Sequence, residues 1–400
     1  MRKILAVILC LTFCFYSSLI SFASGDEWND AMSDADNSSV DTAAPEINAK
    51  AAVLMDADTG TVLFTKNAAE ALPPASVTKV MTLLLVAEAI ASGEISLDDK
   101  VVVSANAASM GGSQIFIKEG ERFTVEELLK SAIIASANDA SVALAELLGG
   151  SEDSFVEKMN KRAAELGMKN TNFENATGLD DTVVNHTISA YDIALMSREL
   201  LKHDIVTKYS RIWQDSIRDG EFILTNTNRL VRFYDGCTGL KTGSTDKAGF
   251  CISATAKRGG MHLIAVIMGA ETRDERNNAA RALLDYGFAA FALYSDNGGY
   301  LEDVPVRYGE IDNASISSQG FYKIINKSDK NKVEKSYSIP ETLRAPVRAG
   351  DKVGEIVYTI GAEEIGRCDI VADASIDRLN VFGIYWRLIK AILVGKESNN

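Results

Sequence analysis

Hydrophobic and polar positions divide this chain into stretches of different texture. Behind Met1-Arg2-Lys3 runs an apolar segment, Ile4 to Ile20, closed by Ser21-Phe22-Ala23 with small residues where a signal peptidase requires them. This predicts a signal peptide over residues 1–23, and a retained N-terminal anchor is the alternative. Either implies export. Residues 24–46 are acidic, rich in Ser, Asn and Asp, and poor in large apolar side chains, so they offer too little burial to offset chain ordering. They predict a flexible leader.

Residues 47–288 carry alternating signals. Ala51-Ala52-Val53-Leu54-Met55, the turn residues Asp56-Ala57-Asp58-Thr59-Gly60, and Val62-Leu63-Phe64 predict a β-hairpin. From about Ser76 to Ile90 the pattern is helical but apolar nearly all round, which predicts a helix inside a domain. Helical periodicity returns over about Val125 to Ile134, Asn138 to Leu148 and Glu152 to Leu166, punctuated by Gly149-Gly150. Strand-like runs follow at Phe222-Ile223-Leu224, Gly249 to Thr255 and Leu263 to Met268, then a helix from about Arg273 to Tyr286. A hairpin, then helices, then strands predicts an α+β fold whose sheet gathers both ends of the segment.

Residues 295–371 change to short strand candidates, such as Val304 to Tyr308, Phe321 to Ile325 and Lys352 to Ile360, and predict a small all-β domain. Residues 374–396 predict an amphipathic helix. In it Asn380, Gly383, Arg387 and Lys390 form one polar stripe on an otherwise apolar and aromatic surface. Two cations interrupt a run shorter than the ~20 residues a membrane span needs, so a helix lying in the membrane interface fits better than a crossing one. A helix packed on the β domain is the other alternative. Cutting after Asp373 is expected to detach it.

Composition removes several classes. The formal net charge is −14, and loss of Arg2 and Lys3 with the signal would take it to −16, a poor surface for nucleic acid. His186, His203 and His262 are dispersed, with no close Cys or His partner, so no metal site is predicted and each reads as an ordinary surface or packing histidine. Cys10 and Cys14 belong to the signal, without the small residues that precede a lipidated cysteine. The odd set Cys237, Cys251 and Cys368 predicts no structural disulfide.

Three short elements carry chemistry. Ser76-Val77-Thr78-Lys79 puts a hydroxyl and an amine on one face at a helix start, where a desolvated lysine can take a serine proton. Ser136-Ala137-Asn138 falls at a break between helices. Lys241-Thr242-Gly243-Ser244 lies on or at the end of a strand that turns back, where a cation can hold a carboxylate and Gly243 admits close approach of a ligand. Each alone has a plainer reading: Ser76 a helix cap, Asn138 an N-cap, Lys241 a solvated hairpin lysine. The three in this order are the pattern of penicillin-binding proteins and class A β-lactamases.

With Pro74-Ala75-Ser76-Val77-Thr78-Lys79, Ser136 to Ala140, Asn175-Ala176-Thr177-Gly178-Leu179 and Asp235 to Gly243, the chain resembles the low-molecular-weight serine D-alanyl-D-alanine carboxypeptidases from about Ala51 to its C-terminus. The resemblance implies a β-lactamase/transpeptidase-like catalytic domain, an antiparallel sheet flanked by helices, followed by the small β domain and a C-terminal amphipathic anchor. It implies Ser76 as nucleophile, Lys79 as proton acceptor and Ser136 as proton relay. It further implies Asn138 on the substrate amide, Lys241 and Thr242 on the terminal carboxylate, and an oxyanion hole of the Ser76 and Ser244 amides beside Gly243. The implied partners are the peptidoglycan stem peptide, β-lactam antibiotics and the membrane surface, with no cofactor, and the implied place is the outer face of the cytoplasmic membrane.

Two rivals remain at this level. A class A β-lactamase deacylates with a dedicated glutamate. Here Glu174 lacks the Glu-x-x-x-Asn spacing and reads as a surface residue, so penicillin is expected to be held as a long-lived adduct. A non-catalytic penicillin-sensing or wall-binding protein is the second rival, disfavoured because every catalytic side chain is present.

Overall fold

The computed structural model describes residues 43–181 and 183–394 of the 400-residue chain. The expected signal peptide and nearly all of the expected leader lie outside these residues. Strand β1 (Ala51–Asp56) turns into β2 (Val62–Lys66) around the Asp56 carboxylate, which accepts from the Thr59 amide at 2.9 Å and the Thr59 hydroxyl at 2.8 Å. Three long strands from the other end of the segment, β3 (Cys237–Thr245), β4 (Gly249–Arg258) and β5 (Met261–Ala270), complete an antiparallel sheet of order β3-β4-β5-β1-β2. The first strand thus lies beside the last, with Val53 opposite Val266.

Alternation of side chains across a strand explains why these segments read as continuous apolar runs. Val53, Met55, Ile264, Val266 and Met268 belong to the core on one face, with helices α1 (Lys79–Ser92), α2 (Asn138–Gly149) and α3 (Ala190–Leu200). Ala52, Leu54, Leu263, Ala265 and Ile267 belong to the core on the other, with Ala280, Leu283 and Leu284 of α4 (Arg273–Ala290). Both faces are covered, so neither can be polar. Helix α1 is buried on nearly every side and stops where Gly93 takes the left-handed conformation at φ 77°. The run Ala75–Ser92 is long and apolar enough to cross a bilayer, but it forms the centre of this core.

Helix starts follow local chemistry. Thr124 and Glu127 form a capping box, and Ser151, Ser189 and Thr272 each cap a helix with a side-chain oxygen. From Ala290 the chain passes directly into strand β6 (Phe291–Asp296) and a unit of short strands. Its main sheet is centred on β7 (Lys352–Ile360) and β8 (Glu363–Ala372), and its core on Tyr358, stacked on Phe321 at 4.0 Å. The unit extends past residue 371, because Ile376 is 3% exposed and pairs with Val347.

Among the described residues the C-terminal helix α5 spans Val381–Val394, starting later than the expected 374. Residues up to Arg378 still bridge the β unit, and Asn380 starts the helix by accepting from the Gly383 amide at 2.8 Å. Arg387 holds it to the unit through an ion pair of 2.7 Å with Asp312. Phe382, Tyr385, Trp386, Leu388, Ile392 and Leu393 remain exposed. Cys237, Cys251 and Cys368 are free.

Candidate active site

Ser76 stands in a single 3-10 turn, Ala75–Thr78, that feeds into α1. The turn lies against β3, and Gly243 is what permits this: a Cβ there would sit 2.7 Å from the Ser76 nitrogen and 2.9 Å from the Val77 nitrogen. Gly243 was expected to admit a ligand backbone; it instead admits the nucleophile's own turn. On the opposite side Gly178, at φ 79°, leaves no room for any side chain, since a Cβ would fall 1.9 Å from the Ala75 carbonyl oxygen. The nucleophile is wedged between two glycines.

Lys79 is wholly buried, and its Nζ lies 3.0 Å from Ser76 Oγ, 2.6 Å from Asn138 Oδ1 and 2.8 Å from the Thr177 carbonyl oxygen. Burial, reinforced by the charge of Lys241 and opposed by Asp139, holds its pKa well below 10.5. A neutral amine has two N–H donors and one lone pair. Two of its partners only accept, and the third is a hydroxyl that can donate. Lys79 donates to Asn138 Oδ1 and the Thr177 carbonyl, and once neutral its lone pair is free to take the Ser76 hydroxyl proton.

Ser136 follows a π-helical turn, Ser131–Ala135, and takes a left-handed backbone at φ 62°, which turns its hydroxyl into the cleft. Asn138 is not the N-cap of α2, a position held by Ala137; its amide nitrogen instead donates to the Gly111 carbonyl at 2.7 Å while its oxygen serves Lys79. Asp139 next to it accepts from the Ile115 and Ile117 amides and so fastens the 111–117 loop over the site.

Lys241 corrects the simplest expectation for a strand cation. It is 1% exposed, and its Nζ donates to Ser136 Oγ at 2.7 Å and to the Thr242 carbonyl at 3.1 Å. Burial, with help from Arg276, lowers its pKa to about 7. It stands behind Ser136, neither solvated nor presented to the cleft. Ser76, Ser136, Thr242, Gly243 and Ser244 do line the cleft, a cavity of about 680 Å³, and so do Arg229, Arg273 and Arg276. The Arg276 guanidinium donates to the Asn277 side chain, and burial beside Arg273 and Arg229 lowers its pKa to about 10. This positive end suits a carboxylate. Motif spacing could not reveal it, because Arg276 is brought there by α4 from outside every motif.

Two further residues are missed by their sequence texture. His186 is buried, Glu174 donates its amide to Nδ1 at 3.0 Å, and Nε2 therefore carries the proton it gives to Thr78 Oγ1 at 2.8 Å. Reading it as a packing histidine captures the burial, not the link between the nucleophile's turn and the loop that holds Lys79. Glu174 is half-buried, accepts from the Val184 and Asn185 amides at 3.0 and 2.9 Å, and so fastens its own loop; it is not a free surface carboxylate.

A serine and a buried lysine at the edge of an antiparallel sheet, backed by a second serine–lysine pair, define the class of penicillin-recognising serine peptidases. The chain belongs to the D-alanyl-D-alanine carboxypeptidase family, peptidase S11, whose model matches residues 38–272, and residues 288–378 match the penicillin-binding protein 5 C-terminal domain. It is 45% identical over 332 residues to D-alanyl-D-alanine carboxypeptidase DacF of Bacillus subtilis (strain 168), covering 81% of this chain and 85% of that protein. Penicillin-binding protein 5 from Haemophilus influenzae superposes with a TM-score of 0.74 at 30% identity, over 84% of this chain and 100% of that one. Penicillin-binding protein D2 from Listeria monocytogenes, in its ampicillin-bound form, superposes with a TM-score of 0.56 at 32% identity, over 61% and 100%. The fold and the carboxypeptidase activity agree with the expectations from sequence, and the comparisons lend no support to the β-lactamase alternative.

Proposed function

We propose that Ser76 attacks the carbonyl of the penultimate D-alanine of a peptidoglycan stem peptide while Lys79 takes the hydroxyl proton. The observation that carries this is the place of Lys79, a wholly buried amine 3.0 Å from Ser76 Oγ with Asn138 Oδ1 and the Thr177 carbonyl to take N–H groups. The Ser76 and Ser244 amides receive the oxyanion, a contribution on the order of 3 kcal/mol per donor. Ser136, polarised by Lys241, passes a proton to the leaving amine, and terminal D-alanine departs. Thr242 and Arg276 bind its carboxylate, with Lys241 adding charge from behind. Asn138 serves Lys79 first and has one amide hydrogen left for the substrate. Water then hydrolyses the ester.

The same nucleophile takes β-lactams as a long-lived ester, because Glu174 is committed to its own loop. Mass spectrometry of the intact protein after penicillin, followed by peptide mapping, should place one adduct on Ser76. A label elsewhere, or rapid multiple-turnover penicillin hydrolysis, would overturn the assignment. The enzyme works outside the cytoplasmic membrane, held by α5 lying in the interface. That reading is supported by the apolar and aromatic side chains the helix leaves exposed, Trp386 at 68% among them.

A further inference from the structure

The cleft is larger than its established leaving group requires. D-alanine presents a methyl group beside its carboxylate, yet the cavity continues from Ser76 and Ser136, past the carboxylate-binding strand, to a wall made by Trp213 and Phe233. A cavity of about 680 Å³ is of the size, roughly 300–1,000 Å³, that takes a drug-sized ligand. The two rings meet edge to face, with centroids 6.3 Å apart and planes at 62°. Arg232 stacks its guanidinium 5.4 Å from each ring centroid, bracing the pair. Phe233 is nonetheless 62% exposed, an apolar surface that loses its water only when something covers it.

The wall is held rigidly. Asn226 donates its amide N–H to the Trp213 carbonyl at 2.8 Å, and its side chain donates to the Ser210 and Ile212 carbonyls at 3.0 and 2.8 Å. One residue on, the Thr227 and Thr242 hydroxyls lie 2.8 Å apart, which ties the wall to the carboxylate-binding strand. The aromatic surface therefore keeps a set distance from the place where the leaving residue's carboxylate sits.

We propose that this wall is a subsite for the side chain of an aromatic D-amino acid at the peptide's C-terminus, so that the enzyme releases such residues as well as D-alanine. The inference rests on the carboxypeptidase reading and changes only the leaving group. The Ser76 Oγ–carbonyl bond forms, the amide C–N bond breaks, and the departing amine takes its proton through Ser136. Water then frees Ser76 from the same acyl group as before.

The test compares two synthetic peptides, diacetyl-L-lysyl-D-alanyl-D-alanine and diacetyl-L-lysyl-D-alanyl-D-phenylalanine, by chromatographic assay of the released amino acid. Wild type should release D-phenylalanine with kcat/KM within about tenfold of that for D-alanine. W213A and F233A should each lower the D-phenylalanine to D-alanine ratio by roughly threefold to tenfold, the size expected for one lost aromatic contact, and W213F should restore most of it. The amount of active enzyme cancels in the ratio, so partial misfolding cannot imitate the effect. Release of D-alanine alone, or a ratio unmoved by both alanine variants, overturns the subsite. Release of neither amino acid removes the carboxypeptidase reading on which it stands.

Discussion

At the scale of single residues, burial disfavours charge on two side chains, Lys79 and His186. Lys79 has no water to solvate an ammonium and faces the charge of Lys241, so acylation by penicillin should reach its plateau well below 10.5, where an exposed lysine loses its proton. Acidification should then slow it. K79R puts a permanent cation there that cannot act as base, and the acylation rate should fall by roughly 10²- to 10⁴-fold in stopped-flow measurements with a fluorescent penicillin. His186 shares the main cause: burial lowers its pKa to about 4 from 6.5, and a protonated Nδ1 would confront the Glu174 amide. The unfolded chain then binds the proton more readily than the folded one. The stabilisation is complete above about pH 6.5, falls as pH drops toward 4, and is at most about 3 kcal/mol. Urea melts across that range should show the decline in wild type and a flatter curve in H186N.

At the scale of elements, the nucleophile's turn is fixed by strand β3 on one side and the segment carrying Gly178 on the other. Each contact passes through a glycine that has no space for a methyl group. G178A adds a disfavoured backbone to a collision with Ala75 and should cost about 3 kcal/mol or more in denaturant unfolding, with loss of the Thr177 contact to Lys79. G243A has an ordinary strand backbone but pushes β3 from the Ser76 amide; its penicillin acylation rate should fall by about 10²- to 10³-fold, as for a lost oxyanion donor. Neither role is visible in the motif itself. The glycine of Lys241-Thr242-Gly243 reads equally well as a place for a ligand, until the turn carrying Ser76 is seen to occupy that space.

At the scale of the whole molecule, the β unit and α5 are joined more closely than their textures suggest. Removing everything after Asp373 would take Ile376 out of the core and break its pairing with Val347, so that truncation should lower the melting temperature. Ending the chain after Asn380 keeps that core. In vesicle co-sedimentation the shorter helix-free protein should stay in the supernatant with unchanged kcat/KM on a soluble peptide. Continued sedimentation would defeat the interfacial reading of α5.

By itself the sequence determined the α+β order of elements, the three motifs and the amphipathic C-terminus. These are local properties, set by side-chain period, turn residues and capping, and they survive in any short window of the chain. Tertiary structure alone decided that Lys241 stands behind Ser136, that Arg229, Arg273 and Arg276 share the cleft with Ser76, that His186 joins the nucleophile's turn to the lysine-holding loop, and that Trp213 and Phe233 close the far wall. The physical reason is distance along the chain: Lys241 and Ser136 lie 105 residues apart, and Thr78 and His186 lie 108 apart. Only the packing of the sheet against its helices brings such groups within a hydrogen bond, and only the water-poor interior thus formed makes two lysines reluctant to carry charge.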